Sequence, residues 1–356
     1  MKNEIFRRLS ALALGLALLL NAAPLPQAFA VEDDTDASSS DSADSTDTTD
    51  KTAVTTADSD PTVTAAAANA PALDATAALL VSPESDMVLY EKNADEKRYP
   101  ASTTKIMTAL LTLENVSDLS VVVTAEASDF ENVTADSSNA GIKVGEQVTV
   151  KDLLYALMLP SANEAAYMLA RHVGGSWEQF VDMMNERAAE LGCTGTHFCN
   201  PCGLHEDDHY TTAHDLYLIA KEAMKDATFR DIVSTVQHRM AKTNLHEERI
   251  ILTTNQLIFS SFQPWSYANC LGIKTGHTSQ AGNCFVGYAE YGDAKLFSVV
   301  LGCSSSSKEY PTIAASFTDT KSLCQWGFEN FTSKTLARQG EEVTYTKVKL
   351  STDTNQ

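Results

Sequence analysis

Ser102 and Lys105 stand three residues apart in the run Ser102-Thr103-Thr104-Lys105. On a helix that spacing puts both side chains on one side, one turn above the other. A serine hydroxyl becomes a nucleophile when a neighbouring base takes its proton, and lysine serves as that base only while its amine is neutral part of the time. Burial or a second cation lowers a lysine pKa. The residues that follow, Ile106, Met107, Ala109, Leu110 and Leu113, are apolar on most sides of a helix predicted over 102–114, so the helix supplies the burial. Its first turn also leaves backbone N–H groups near Ser102 that can stabilise an oxyanion. Alone, the same four residues describe an N-cap serine followed by a solvated lysine.

Two further polar groups give the pair its meaning. Ser161-Ala162-Asn163 follows Pro160 at a break between two helical patterns, and a broken turn lets residues i and i+2 reach a common cleft. Capping by Ser161 is the plainer reading of the same residues. Lys274-Thr275-Gly276 ends a predicted strand over 271–274. An edge strand can pair with an extended peptide, glycine admits a second backbone, and Lys274 offers positive charge to a carboxylate while helping to depress the Lys105 pKa.

The elements around these residues read as a mixed α/β fold. Segments 77–81 and 87–90 flank a turn and form a hairpin. Helical patterns cover 152–159, 164–173, 177–191 and 213–224, the last opened by Thr212 and Asp215 at capping-box spacing. Strands return over 271–274, 284–289 and 296–301, with Gly292-Asp293 turning between the last two, and a helix is predicted over 311–328 with Pro311 at its first turn. Strands at both ends therefore enclose a helical middle: an antiparallel sheet flanked by helices, with a mainly helical lobe inserted between its strands.

Residues 1–30 carry Lys2, Arg7 and Arg8, an apolar run over 9–20 and a small-residue site at Ala28-Phe29-Ala30, the pattern of an export signal. Twelve apolar residues are short for a membrane span. Residues 31–72 form an acidic Ser/Thr/Asp-rich tether; its first thirty residues carry ten acidic side chains against Lys51 alone, too little apolar surface for order. The globular part spans 73–332, and 333–356 reads as a short remnant of a β-rich domain with no amphipathic anchor helix. Membrane association then depends on an uncleaved N-terminal segment, and the expected location is extracytoplasmic, at the cell wall. Residues 61–356 hold 36 acidic and 22 basic side chains, which disfavours nucleic acid as a partner.

SxxK, SxN and KTG, in that order at 102, 161 and 274, resemble the serine D-alanyl-D-alanine carboxypeptidases, the low-molecular-weight penicillin-binding proteins of peptidase family S11. The resemblance extends to Pro100-Ala101 before the nucleophile, to His277-Thr278 after KTG, and to Asn200-Pro201-Cys202-Gly203-Leu204 and His209-Tyr210-Thr211-Thr212-Ala213. It implies a β-lactamase/transpeptidase-like fold and removal of the terminal D-alanine from peptidoglycan stem peptides ending in D-Ala-D-Ala. It further implies a Ser102 acyl-enzyme that β-lactam antibiotics also form. The roles implied are Ser102 nucleophile, Lys105 base, Ser161 proton relay, Asn163 for orientation, and Lys274 with Thr275 for the terminal carboxylate. Gly276 allows the close approach, and the His277 N–H joins that of Ser102 in the oxyanion hole. No cofactor or metal is implied. Glu164, where the family usually has aspartate, and Cys202, where histidine or asparagine is common, are departures expected to stay clear of the reacting groups.

Rival readings share part of this pattern. A class A β-lactamase would add an ExxLN segment, absent between Glu164 and Lys274. A peptidoglycan DD-endopeptidase has the same three motifs, and a non-catalytic penicillin-binding receptor is the reading from outside enzymes. His205-Glu206-Asp207-Asp208-His209 fits the zinc-peptidase HExxH pattern, yet Gly203 before it and the helix start at Thr212 make it a loop. Cys193, Cys199, Cys202 and His197 fit no standard zinc spacing, and the seven cysteines permit no assignment of disulfides.

Overall fold

The computed structural model of the chain describes residues 52–53, 69–134, 137–259 and 263–331. The expected signal, most of the tether and the C-terminal remnant lie outside these residues.

Short, continuously apolar strands build the central sheet. The hairpin partners β2 (Ala77–Ser82) and β3 (Met87–Lys92) are joined by β8 (Cys270–Thr278), β9 (Gly282–Tyr291) and β10 (Ala294–Cys303), with β1 (Thr52–Ala53) along β3. The order is β1-β3-β2-β10-β9-β8 and every pairing is antiparallel. The join β2–β10, with Leu79 opposite Val299, brings together segments more than two hundred residues apart, as the enclosing strands required. Successive residues face opposite sides. Leu79, Val286 and Val299 enter the core on the side of the helical lobe, whereas Leu80, Phe285 and Val300 enter a second core. Both faces are covered, which explains why these strands read as continuous apolar runs.

The inserted lobe contains α1 (Lys105–Asn115), α2 (Val150–Met158), α3 (Asn163–Gly174), α4 (Trp177–Glu190), α5 (Ala213–Ala223) and α6 (Ala227–Val233). Helix α1 is the lobe's axis: Ile106, Met107, Thr108 and Thr112 are fully buried, and α2 through α6 all touch it. The second face of the sheet is covered by α8 (Ala315–Asn330), beside the short α7 (Gln256–Phe259).

Three expectations need correction, and two small ribbons were not anticipated. The last helix begins at Ala315, because Pro311 sits in a turn where Ile313 N donates to Tyr310 O. Lys274 to Gly276 lie inside β8, since pairing with β9 continues to Thr278 opposite Gly282. Thr212 accepts from Asp215 N as an N-cap, but the Asp215 carboxylate closes no box; it accepts from Gly195 N and Thr196 Oγ1 instead. Two small ribbons, β4 (Val122–Thr124) with β5 (Gln147–Thr149) and β6 (Gln237–Met240) with β7 (Arg249–Leu252), are too short to leave a periodic signal. Among the described residues no helix is long and apolar enough to cross a membrane.

Two-sided burial makes a direct prediction. Leu79→Ala and Leu80→Ala, on opposite faces, should each lower unfolding free energy by about 2–5 kcal/mol, read from denaturant midpoints. Met87→Ala, at a side chain 51% exposed, should change it by about 0.5 kcal/mol or less. A near-neutral Leu80→Ala would mean the α8 face is not a packed core.

Candidate active site

Ser102 is carried by a 3-10 turn, Ala101–Thr104, that runs straight into α1. Ala101 takes a left-handed φ of 48°, unusual for a residue with a Cβ. A relay holds this turn. Cys199 N donates to His209 Nδ1 at 3.1 Å, so the ring proton is on Nε2, which donates to Thr104 Oγ1 at 2.8 Å. Thr104 Oγ1 in turn donates to Ala101 O at 2.9 Å. Burial pushes His209 down to about 3, which keeps the ring neutral and the relay in one direction. His205, in contrast, lies edge-on to Tyr99, so 205–209 is the expected loop and its two histidines serve different walls.

Lys105 is fully buried and has three partners. Its Nζ lies 2.7 Å from Asn163 Oδ1, 2.6 Å from Cys202 O and 3.0 Å from Ser102 Oγ. The first two partners are carbonyl oxygens that can only accept, and they consume two N–H bonds. A neutral amine then has its lone pair directed at the Ser102 hydroxyl. Burial lowers the Lys105 pKa to about 8, against the opposing fields of Cys202 and Glu164.

The Cys202 carbonyl is placed by a tight turn. Asn200 Oδ1 accepts from Cys202 N at 3.2 Å and from Gly203 N at 2.7 Å, and Thr108, one turn beyond Lys105, donates to Pro201 O at 2.6 Å. Gly203 has a φ of 85°, and a Cβ there would lie 1.8 Å from Ala101 O. The expectation that Cys202 stays clear of the reacting groups is therefore corrected: its thiol bonds to Asn200, but its backbone carbonyl is a direct partner of the lysine. Glu164 also acts on Lys105, through its charge. Buried, it anchors one wall by accepting from Ala140 N at 2.7 Å, while Ser138 O accepts from Asn163 N.

Ser161 does not cap α3. It occupies φ 65°, and its buried Oγ has no hydrogen-bond partner among the described residues. Lys274, 1% exposed, donates to Thr275 O at 3.1 Å and Thr275 Oγ1 at 3.4 Å. Its pKa is well below the usual value, first through burial and then through the charge of Lys105. Burial is the first cause for both lysines, and the like charges of Lys105 and Lys274 each disfavour the other's ammonium form. Gly276 brings β8 against the Ser102 turn, for a Cβ there would stand 2.9 Å from Pro100 O and 3.2 Å from Ser102 N.

Ser102, Ser161, Asn163, Thr275, Gly276 and His277 line one cleft of about 400 Å³. Lys105 and Lys274 lie beneath it, joined to Ser102, Asn163 and Thr275, so every residue singled out in sequence converges here. Sequence reasoning missed Ser137, Ser138 and Thr254, which also line it. Thr254 Oγ1 is 2.6 Å from Thr275 Oγ1, and its N–H donates to Leu159 O at the end of α2. A threonine after a short strand carries no signal that would have found it. The seven cysteines are free thiols, and among the described residues no cluster of three or more His, Cys, Asp or Glu suits a metal.

The model of a family described as D-alanyl-D-alanine carboxypeptidase matches residues 64–305. The chain is 32% identical over 277 residues to D-alanyl-D-alanine carboxypeptidase DacF of Bacillus subtilis, covering 78% of this chain and 68% of that one. It is 35% identical over 253 residues to the D-alanyl-D-alanine carboxypeptidase of Streptomyces sp. strain K15, covering 67% and 82%. Among solved structures, the Streptomyces K15 DD-transpeptidase matches with a TM-score of 0.65 and 34% identity over 73% of this chain and 99% of that one. A D-alanyl-D-alanine carboxypeptidase from Mycobacterium tuberculosis matches with a TM-score of 0.65 and 31% identity over 73% and 93%. Sequence and fold agree with the motif order, and the chain belongs to the serine-type D-alanyl-D-alanine carboxypeptidases of peptidase family S11.

Proposed function

We propose that this chain is exported and removes the terminal D-alanine from peptidoglycan pentapeptides through a Ser102 acyl-enzyme. The observation that carries the reading is the Lys105 environment: two acceptor oxygens hold the amine so that its third position faces Ser102 Oγ at 3.0 Å. Export rests on the N-terminal signal pattern of residues 1–30.

Neutral Lys105 takes the hydroxyl proton as Ser102 Oγ attacks the carbonyl between the two D-alanines. The N–H groups of Ser102 and His277 stabilise the oxyanion. Ser161, whose buried hydroxyl has no other partner among the described residues, passes the proton to the departing amine. Asn163 orients the acyl side. Thr275 and Lys274, backed by Thr254, receive the terminal carboxylate. Water then releases the shortened peptide and restores Ser102. A β-lactam carries a comparable acyl group and carboxylate, and it acylates the same oxygen. The solved Streptomyces neighbour bears the name DD-transpeptidase, so an amine acceptor is the competing fate of the acyl-enzyme, separated from hydrolysis by the mass of the product.

The two lysines are coupled through the substrate. A carboxylate arriving beside Lys274 favours its ammonium form, and that cation in turn favours the neutral amine at Lys105.

Labelled penicillin should modify the wild type and leave Ser102→Ala unlabelled; equal labelling of both defeats the acyl-enzyme. D-Alanine release from a pentapeptide should fall at least about 10³-fold in the same variant. The pH dependence follows from the base being the neutral form. Activity should rise with pH, with the kcat/KM limb near the free-enzyme value of about 8 for Lys105 and the kcat limb lower, because the bound carboxylate acts on the complex. A falling limb in that range would exclude Lys105 as the base. His209→Ala should slow acylation about tenfold or more through the loosened turn, without moving the limb, because the ring is neutral throughout. His209→Gln, which keeps a donor toward Thr104, should recover part of the rate; a shifted limb would make His209 a titrating participant.

A further inference from the structure

A second hollow, of about 610 Å³, adjoins the cleft and is larger than it. The two share the β8–β9 hairpin: Thr278 and Asn283 line the cleft, and the next residues outward, Ser279 and Gly282, line the second hollow. They share the loop after Gly203 in the same way, with Leu204 on the cleft and Asp207 beyond it. The second hollow thus continues the cleft past the hairpin tip.

Its walls have a distinct chemistry. Tyr99 and Tyr210 supply rings, Gln280 an amide, and Lys97 and Arg98 two cations. Arg98 is already engaged, by Glu96, Thr76 Oγ1 and Lys97 O. The Lys97 ammonium rests 3.8 Å over the Tyr210 ring and has no carboxylate partner among the described residues. In a chain of formal net charge −21 such a cation stands out. Asp207 keeps its carboxylate 96% exposed and leans toward His205 at 3.6 Å, leaving Lys97 unneutralised.

Substrate direction follows from the proposed carboxypeptidase reading, on which this inference rests. With the terminal carboxylate at Lys274 and Thr275 and the scissile carbonyl at Ser102 beside Gly276, the peptide upstream must run along β8 toward Thr278 and the hairpin tip. At about 3.3 Å per residue, a residue two or three positions upstream arrives at Ser279 and Gln280. An acidic residue at that position would bring its carboxylate to the cation in the hollow.

We infer that the second hollow is a subsite for the upstream stem peptide and that Lys97 binds the free carboxylate of its acidic residue. Lys97 thereby makes the enzyme discriminate stem peptides bearing that carboxylate from those in which it is amidated.

The test uses two pentapeptides differing only at the second residue, D-glutamate or its α-amide, and an N-acetylated tripeptide ending in D-Ala-D-Ala that lacks this residue. Wild type should favour the free acid in kcat/KM by about 3–5-fold, the scale of one exposed ion pair. Lys97→Ala should abolish the preference and leave tripeptide turnover and penicillin labelling unchanged, while Lys97→Arg keeps it. A preference surviving in Lys97→Ala, no preference in wild type, or an equal loss on the tripeptide overturns the inference. Failure of both tripeptide turnover and labelling would instead overturn the carboxypeptidase reading. Dissociation constants of the two pentapeptides for Ser102→Ala and Ser102→Ala/Lys97→Ala then read the subsite without turnover, with the same 3–5-fold expectation and with equal constants overturning it.

Discussion

The arrangement depends on one buried amine. Lys105 has no solvent to satisfy its three polar valences, and an unpaired charge in such a place would cost several kcal/mol. Its partners arrive from three separate stretches of chain: the turn at Ser102, the helix start at Asn163 and the turn at Cys202. Each stretch must bring backbone close enough to reach it. That requirement accounts for the irregular backbone here, with left-handed conformations at Ala101 and Ser161 and with Gly203 and Gly276 wherever a Cβ would strike the nucleophile turn. Strain of this kind, about 1–3 kcal/mol per residue, is tolerated where the surrounding fold holds it. Here α1, packed on all sides, does so.

A second lysine beside the first gives the cleft its electrostatic character. Lys105 and Lys274 are both buried, and Glu164 is the carboxylate whose field reaches Lys105. Its own pKa is raised by burial, and its Oε1 is occupied by the backbone of the 137–142 wall. The site therefore holds more potential positive charge than compensation. Burial lowers the pKa of both amines, to about 8 at Lys105, and at Lys274 the charge of Lys105 adds to that lowering. In the mechanism proposed above an incoming carboxylate is the missing compensation, which would make binding and activation of the base one electrostatic event.

Much of this was legible in sequence because the motifs combine residue type with element boundary. Serine and lysine one turn apart on an apolar helix, a polar pair after a proline, and a cation with threonine and glycine in a strand each state both a chemistry and a position. Short apolar runs at 77–81, 284–289 and 296–301 located the sheet, and Gly292-Asp293 its turn. What escaped is physically of another kind. The Cys202 carbonyl is a backbone group that any residue possesses, and its importance comes from the Asn200 turn and Thr108. Thr254 matters only because Leu159 O fixes it opposite Thr275. The depth at which both lysines are buried, the first cause of their lowered pKa values, is set in three dimensions and is not encoded by spacing.

The position of β8 joins scaffold to substrate. It is an outer strand of the sheet, and among the described residues β9 is its one ladder partner. Open edges invite unwanted pairing, and proteins ordinarily shorten or cover them. This one extends nine residues and carries its functional groups in mid-strand, which leaves strand on either side of Gly276. Under the proposed function, a substrate laid along it would be held at its terminus by Lys274 and Thr275 and supported upstream toward Ser279 while its carbonyl stays at Ser102. Had β8 ended at Lys274, as its sequence suggested, only the terminal carboxylate would have a place. The continuation to Thr278 makes the edge a guide for a longer peptide.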